Sequence, residues 1–553
     1  MHPHPRTPSI TPGPSSPSSP SVSRRGFLAG LSGAAATLAV GTDAFAAGGG
    51  TVAAAAPPTT LDLDAIQANV LPGFDTTHQA FVLVTFGSAS DARAWLAALT
   101  PSITSSRRLA ATTGALVNVA FTHAGLAALG RPDTELRSFP EAFRQGMRRR
   151  SDVLGDRGPS DPTTWPEPYR QPFHAVVLVA ANDAGVVDTA IDDHRRLATD
   201  NGLSVVHVQR GDVRADQPGH EHFGFRDGIS QPGVRGVTTP QNPADPNQGV
   251  PGQDLLWPGE FVLGYATQAG PGGGDGAGPA ATSGPDWTVD GSYLVFRRLR
   301  QDVAGFRGFM TDLATDQGIT EDLAGAKLMG RYRSGVALAA VGEQPVDPGI
   351  ADASLLAPER ISAFEFAEDD PHGDVTPHAA HIRKMYPRDQ PTEDGGEDDT
   401  QTHRLLRRGI PFGASLDAGG VADPAFPDDR GLLFLCYQSS IERQFEFVQR
   451  RWANDPDFPV RGAGTDPVIG AVRRTGSTFG LPGGRPDHVA LMQRFVTTTG
   501  GDYFFQPSIP ALAVLAASPA APPAGRTAAP DAVPAPRPPR PRGGRRRRGG
   551  RPA

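Results

Sequence analysis

The chain has 553 residues, and although 66 are Gly and 55 are Pro, its 38% hydrophobic content is enough to build one or two large cores; global disorder and a collagen-like repeat are excluded. Cys436 is the only cysteine, so an intrachain disulfide and a cysteine-based zinc or iron–sulfur site are excluded too. The net charge of −7 combines an arginine-rich end after Ser518 with an acidic body, which is the wrong sign for binding a phosphate backbone.

In chain order, residues 1–22 are Pro/Ser-rich and lead into Ser23-Arg24-Arg25-Gly26-Phe27-Leu28, an uncharged Ala/Gly-rich stretch from Ala29 to Thr42, and Ala44-Phe45-Ala46. That order is a twin-arginine secretory signal with a small-residue cleavage site. It predicts a signal over 1–46, a linker over 47–60, passage through the twin-arginine translocase, and an extracellular or periplasmic location. This route carries folded proteins, which favours a cofactor inserted before export. No later stretch reaches the ~18 apolar residues of a membrane span.

Phe81 to Phe86 reads as a buried strand and Ser88 to Leu99 as the helix after it. Leu116 to Phe121 reads as a second strand, followed by a short helix from Ala124 that Thr122 caps. His174 to Ala181 is a third strand. The second half repeats the theme at Phe261 to Tyr265, Tyr293 to Arg298 and Leu432 to Tyr437. A helix then carries Ile441, Phe445, Val448 and Trp452 at i, i+4, i+7 and i+11. These elements favour α+β. The stretches 270–284 and 389–400 read as loops, and 517–553 as a disordered Pro/Arg-rich tail.

Four places set polar groups beside glycine or apolar residues. His222 to Gly228 contains Asp227 in an Asp-Gly turn. His378 and His381 stand at i, i+3, spacing at which both or either could meet a metal. Arg407-Arg408-Gly409-Ile410-Pro411-Phe412-Gly413 is a basic loop. Glu446 sits on the apolar helix, either solvated or a buried acceptor.

Together these stretches resemble the dye-decolourising (DyP-type) haem peroxidases. The G-x-x-D-G signature stands at Gly224 to Gly228, the A-H-I-R-K stretch at Ala380 to Lys384 and on to Pro387-Arg388, and the R-R-G-x-P-[YF]-G loop at Arg407 to Gly413. Tyr386 departs from the pattern, replacing the usual Asn before Pro-Arg. The resemblance runs from about Leu61 to Leu512. It implies two ferredoxin-like α+β domains with antiparallel sheets, over 61–212 and 213–516, in a dimeric α+β barrel-like arrangement with one haem b held mainly by the second.

It also implies His381 as the axial iron ligand, Asp227 as the distal acid–base and Arg407 as the distal cation, with Arg408 the alternative. Glu446 is the candidate acceptor behind His381, and Arg383 the candidate partner of a haem propionate. The expected activity is oxidation of small aromatic, dye-like or phenolic donors by hydrogen peroxide, and a homo-oligomer fits it. Haem binding for transport or iron release, as in a deferrochelatase, is the alternative, but it needs no acid–base group over the iron.

Overall fold

A computed structural model describes residues 60–416, 429–471, 477–481, 488–491 and 494–518. The signal, most of the linker and the Arg-rich tail lie outside the described residues. Among those described, no helix is long and apolar enough to cross a membrane.

Among the described residues the main sheet is antiparallel and has nine strands: β1 (His78–Thr85), β2 (Leu116–Phe121), β3 (Ala175–Ala181), β4 (Ser204–Asp212), β5 (Ser292–Gln301), β6 (Leu406–Arg407), β7 (Ile410–Phe412), β8 (Gly431–Gln438) and β9 (Val496–Gln506). Their order across the sheet is β6-β8-β5-β9-β2-β3-β1-β4, with β7 also paired to β8. The first half is therefore β4-β1-β3-β2. The second repeats the same pattern with β5, the β6/β7 pair, β8 and β9. Each half is a ferredoxin-like β-α-β-β-α-β unit, as the sequence implied. The halves join where β9 meets β2 at Phe505 and Phe121. At the far edges, β4 comes round to β7: a Cβ on Gly211 would lie 2.5 Å from Ile410 Cγ2 and 3.1 Å from the Pro411 carbonyl oxygen.

That curvature explains the unbroken apolar run in β1. Ala80, Val82 and Val84 pack outward under α1 (Ala89–Leu99) and α2 (Ala184–Asp200), against Trp95, Leu96, Val187 and Ile191. Phe81 and Leu83 point inward onto Tyr437, Leu433, Leu435 and Phe504. With both faces covered, alternation has no role, and each large apolar side chain buried this way contributes about 1.5–3 kcal/mol. Of the local signals, the Thr122 cap holds. Ser88 Oγ caps α1 by accepting from Asp91 N, and Thr122 Oγ1 accepts from Gly125 N at the start of the next helix.

Four expectations change: the stretch 270–284 contains the strand Ala277–Ala280, 389–400 ends in the short helix Glu397–Thr400, and two further segments differ. Phe261 to Tyr265 is not a strand. Pro258–Glu260 forms a 3₁₀ turn, and a Cβ on Gly259 would sit 2.1 Å from the Tyr265 carbonyl oxygen, so the segment folds back tightly and is buried as a loop before the strand Ala266–Gln268. The helix after β8 does bury Ile441, Phe445, Val448 and Trp452, but it is π-wound through Ile441–Glu446 and Val448–Ala453. Single-turn π segments often mark functional positions in helices, and here Phe445 and Val448 face a cavity.

Candidate active site

The cavity, of about 280 Å³, lies over the outer face of the second half-sheet. Tyr293 and Val295 of β5 pack into the apolar core, whereas Arg297, Leu299 and Gln301, farther along the same face, form part of the cavity wall. Asp227, His381 and Arg407 line this one space although up to 180 residues separate them.

His381 opens α3 (His381–Met385), directly after the fully buried Ala379 and Ala380. Its Nδ1 lies 2.8 Å from Asp466 Oδ2. A carboxylate there accepts a hydrogen bond from Nδ1–H and so leaves the Nε2 lone pair for a metal. Asp466 is itself fixed, because Oδ1 accepts from the N–H groups of Val468 (2.8 Å) and Ile469 (2.9 Å). Burial works against a charged His381, but the charge and hydrogen bond of Asp466 outweigh it and shift the imidazole pKa upward.

Asp227 stands in the turn that ends at Gly228, whose φ of +77° suits glycine. Its Oδ1 accepts from Gly228 N at 2.6 Å and from Arg407 Nη1 at 3.2 Å. Arg407 Nη2 donates to the Ile229 carbonyl (2.7 Å), and the Gln231 side chain brackets the Arg407 backbone from both sides. The two charged side chains are 33% and 34% exposed, so the pair faces open space rather than core. A second cavity, of about 360 Å³, lies on its other side between Pro72 to Thr76 and the Arg407 to Pro411 loop, and Asp227 and Arg407 line both.

The choice between the two loop arginines is clear from their partners. Arg408 donates to the carbonyls of Asn69 (3.1 Å), Val70 (3.0 Å) and Arg407 (2.9 Å) and packs on Gly73, tying the loop to the first half. Arg407 is the one beside Asp227. His378 lies against Gly373 and Gln390 and is not part of the cavity wall, so of the two histidines only His381 faces it.

Two assignments are corrected. Glu446 is not the acceptor behind His381. It accepts from Tyr503 Oη (2.9 Å) and holds both the Nε and Nη2 of Arg150 (Nη2 at 2.5 Å), a buried pair joining the two halves, and Asp466 fills the role instead. Arg383 does not face the cavity. It is fully buried, with Nε on Gln390 Oε1 (2.8 Å), Nη1 on Asp370 Oδ2 (3.0 Å) and the Thr376 carbonyl (2.8 Å), and Nη2 on the Asp370 carbonyl (2.8 Å). Its donors are engaged in bracing the segment before His381. Arg383→Met is therefore expected to cost about 3–5 kcal/mol of unfolding free energy, because Asp370 is left buried and unpaired. Denaturant titration would measure this, and the cavity of the folded variant should keep its ligand affinity.

Sequence reasoning missed a cationic end of the cavity. Arg331 is almost fully buried yet donates only to neutral acceptors: the carbonyls of Gly335 and Ile361 (both 2.7 Å) and the hydroxyls of Ser230 (2.8 Å) and Ser362 (3.4 Å). Burial first, then Arg388 and Arg407, pull its pKa down to about 9. Arg388 stacks on Phe364 at 3.9 Å, and Arg404 on Tyr386 at 3.5 Å. Among the described residues no cluster of three or more His, Cys, Asp or Glu could hold a metal by itself.

Residues 65–215 match the DyP dimeric alpha+beta barrel domain, and residues 277–459 the C-terminal domain of Dyp-type peroxidases. A dye-decolorizing peroxidase from Mycena epipterygia is 31% identical over 494 residues, covering 83% of this chain and 88% of that protein. The chain belongs to the DyP-type peroxidase family. The solved structure of a single-site variant of the dye-decolorizing peroxidase from Pleurotus ostreatus superposes with a TM-score of 0.70 at 31% identity, covering 83% of this chain and all of that one. A deferrochelatase from Yersinia pestis is 30% identical over only 167 residues, 30% of this DyP-type chain and 29% of that protein.

Proposed function

We propose that this DyP-type peroxidase holds one haem b in the cavity, mainly through the second domain (213–516, after 61–212), and uses hydrogen peroxide to oxidise small dye-like or phenolic donors. The observation that carries the reading is the Asp227–Arg407 pair facing the same cavity as an imidazole whose Nδ1 is tied to Asp466. The residues present fit a dianionic macrocycle. His381 Nε2 would ligate the iron. Ile382, Met385, Phe434, Phe445, Val448 and Val468 supply apolar wall. Arg331, short of carboxylate partners, and Arg388 would receive the propionates, the part first assigned to Arg383.

Bound there, haem b would supply an iron centre able to give up two electrons to peroxide and to regain them one at a time from donors. Asp227 takes a proton from one oxygen of hydrogen peroxide and returns it to the other, which leaves as water. Arg407 cannot lose its charge, and it stabilises the negative charge that builds on the departing oxygen. Asp466 keeps the Nδ1 proton close, which makes His381 a stronger donor. The second cavity gives a molecule as small as peroxide a way to the pair from the side of Pro72 to Thr76. Haem transport or iron release would leave the Asp227–Arg407 pair without a task. From the leader sequence alone, we also propose export by the twin-arginine route.

The test is the visible spectrum of the purified protein before and after one equivalent of hydrogen peroxide. Rapid conversion of a Soret band supports the peroxidase reading. A Soret band that peroxide leaves unmoved moves the protein to haem handling, and no Soret band after added haem overturns the cofactor.

A further inference from the structure

Lys384 has no part in the chemistry above, yet it is one of only two lysines in the chain. It stands one turn after His381 on α3 and is fully buried. Its Nζ donates to the carbonyl oxygens of Asp455 (2.8 Å), Phe458 (2.5 Å) and Gly464 (2.7 Å). An ammonium has three N–H donors, and each meets a backbone carbonyl.

Those carbonyls belong to the irregular segment that leaves the π-wound helix at Ala453 and ends at Asp466, the partner of His381. The segment has no helix or strand of its own; it is held by Lys384 at its start, middle and end, by bonds from Gly464 N to the Pro456 carbonyl (2.8 Å) and from Asp466 N to the Ala453 carbonyl (2.9 Å), and near its end by a bridge from Gly464 to Phe479 of the strand Ser477–Gly480. Gly464 is two residues from Asp466, and at φ +97° a Cβ there would lie 2.3 Å from the Thr478 carbonyl oxygen, so its placement has little slack. Burying an ammonium on neutral acceptors is unfavourable. Burial lowers the Lys384 pKa to about 7, against the raising effect of Asp466 and Asp455. A methionine or leucine would fill an apolar gap at less cost, but could not gather three carbonyls.

We propose that Lys384 is a positioning residue for the His381–Asp466 hydrogen bond. By fixing the 455–464 segment it holds Asp466 Oδ2 at the Nδ1 proton of His381, and so sets how strongly that imidazole donates to a bound iron. The same short helix thus presents the ligand and anchors the loop that tunes it. The inference rests on the haem reading of His381.

The experiment measures the ferric/ferrous reduction potential of the full-length holoprotein by spectroelectrochemistry, together with the iron–histidine stretch of the ferrous form. The variants are Lys384→Met, Lys384→Gln, Asp466→Asn and the double variant Lys384→Met/Asp466→Asn. Asp466→Asn weakens donation from His381, so its potential should rise and the stretch should fall in frequency. Lys384→Met should move both in the same direction by a smaller amount, Lys384→Gln by less still, and Lys384→Met should add nothing once Asp466 is Asn. A wild-type potential in both Lys384 variants, with Asp466→Asn shifted, overturns the proposal and leaves Lys384 a purely structural clamp. Shifts that add in full in the double variant overturn it as well, as does haem loss in both Lys384 variants while Asp466→Asn retains it. An unshifted Asp466→Asn, or absence of haem from the wild type, strikes instead at the axial assignment of His381.

Discussion

Replacing Asp227 with asparagine is expected to slow the reaction with hydrogen peroxide by about 10²- to 10⁴-fold while haem stays bound. Asparagine has nearly the same shape and its carbonyl can still accept from Gly228 N and Arg407 Nη1, the two contacts that hold Asp227 Oδ1. It cannot take up a proton at neutral pH. The change therefore separates proton transfer from pocket geometry, and the Soret band before peroxide should match the wild type. Stopped-flow mixing with peroxide gives the rate directly. A rate within about threefold of wild type would remove Asp227 from the role of acid–base and leave it a turn residue.

His381→Ala is expected to abolish haem retention. Among the described residues the one other histidine in the cavity wall is His403, whose ring is held by the Arg443 carbonyl, Asp399 and Phe447, while His378 is turned toward Gln390. Truncation also leaves Asp466 Oδ2 without its partner in a fully buried site, although Oδ1 keeps the Val468 and Ile469 N–H groups. Gel filtration of haem-loaded protein should separate a colourless chain from free haem, and millimolar imidazole should restore part of the Soret band by filling the space. Full retention of haem by the alanine variant would refute the ligand assignment.

These two expectations rest on residues to which the resemblance gave roles, since His381, Asp227 and Arg407 sit in short motifs that match the family's pattern. The outer elements could be read from the sequence itself: α1 shows its apolar stripe, and β1 its unbroken apolar run. What could not be read depends on contacts between distant segments. Asp466 lies 85 residues after His381 in an irregular stretch, and its only visible signal is that of an Asp capping a turn before Pro467. Glu446 sits on the right helix but is claimed by Arg150, 296 residues earlier in the chain. Arg383 follows the ligand by two positions, yet Asp370 and Gln390 draw it away from the cavity. In each case an ionisable side chain takes the partner that burial supplies, and a single sequence carries no record of which distant segment that is.

The position of β9 has a consequence for how the molecule is made. It is the last strand of the sheet to leave the ribosome, yet it lies near the middle, between β5 and β2, and pairs along nearly all of β5. The first half, β1 to β4 with α1 and α2, has its full set of strands some 280 residues before β9 appears and can fold during synthesis. The second half cannot, because β5 waits with one edge open for a partner about 200 residues downstream. Val496 and Thr498, which form part of the cavity wall, arrive on that same strand. The cavity is therefore complete only once β9 has joined the sheet, and a nascent chain still short of residue 496 has only part of its wall.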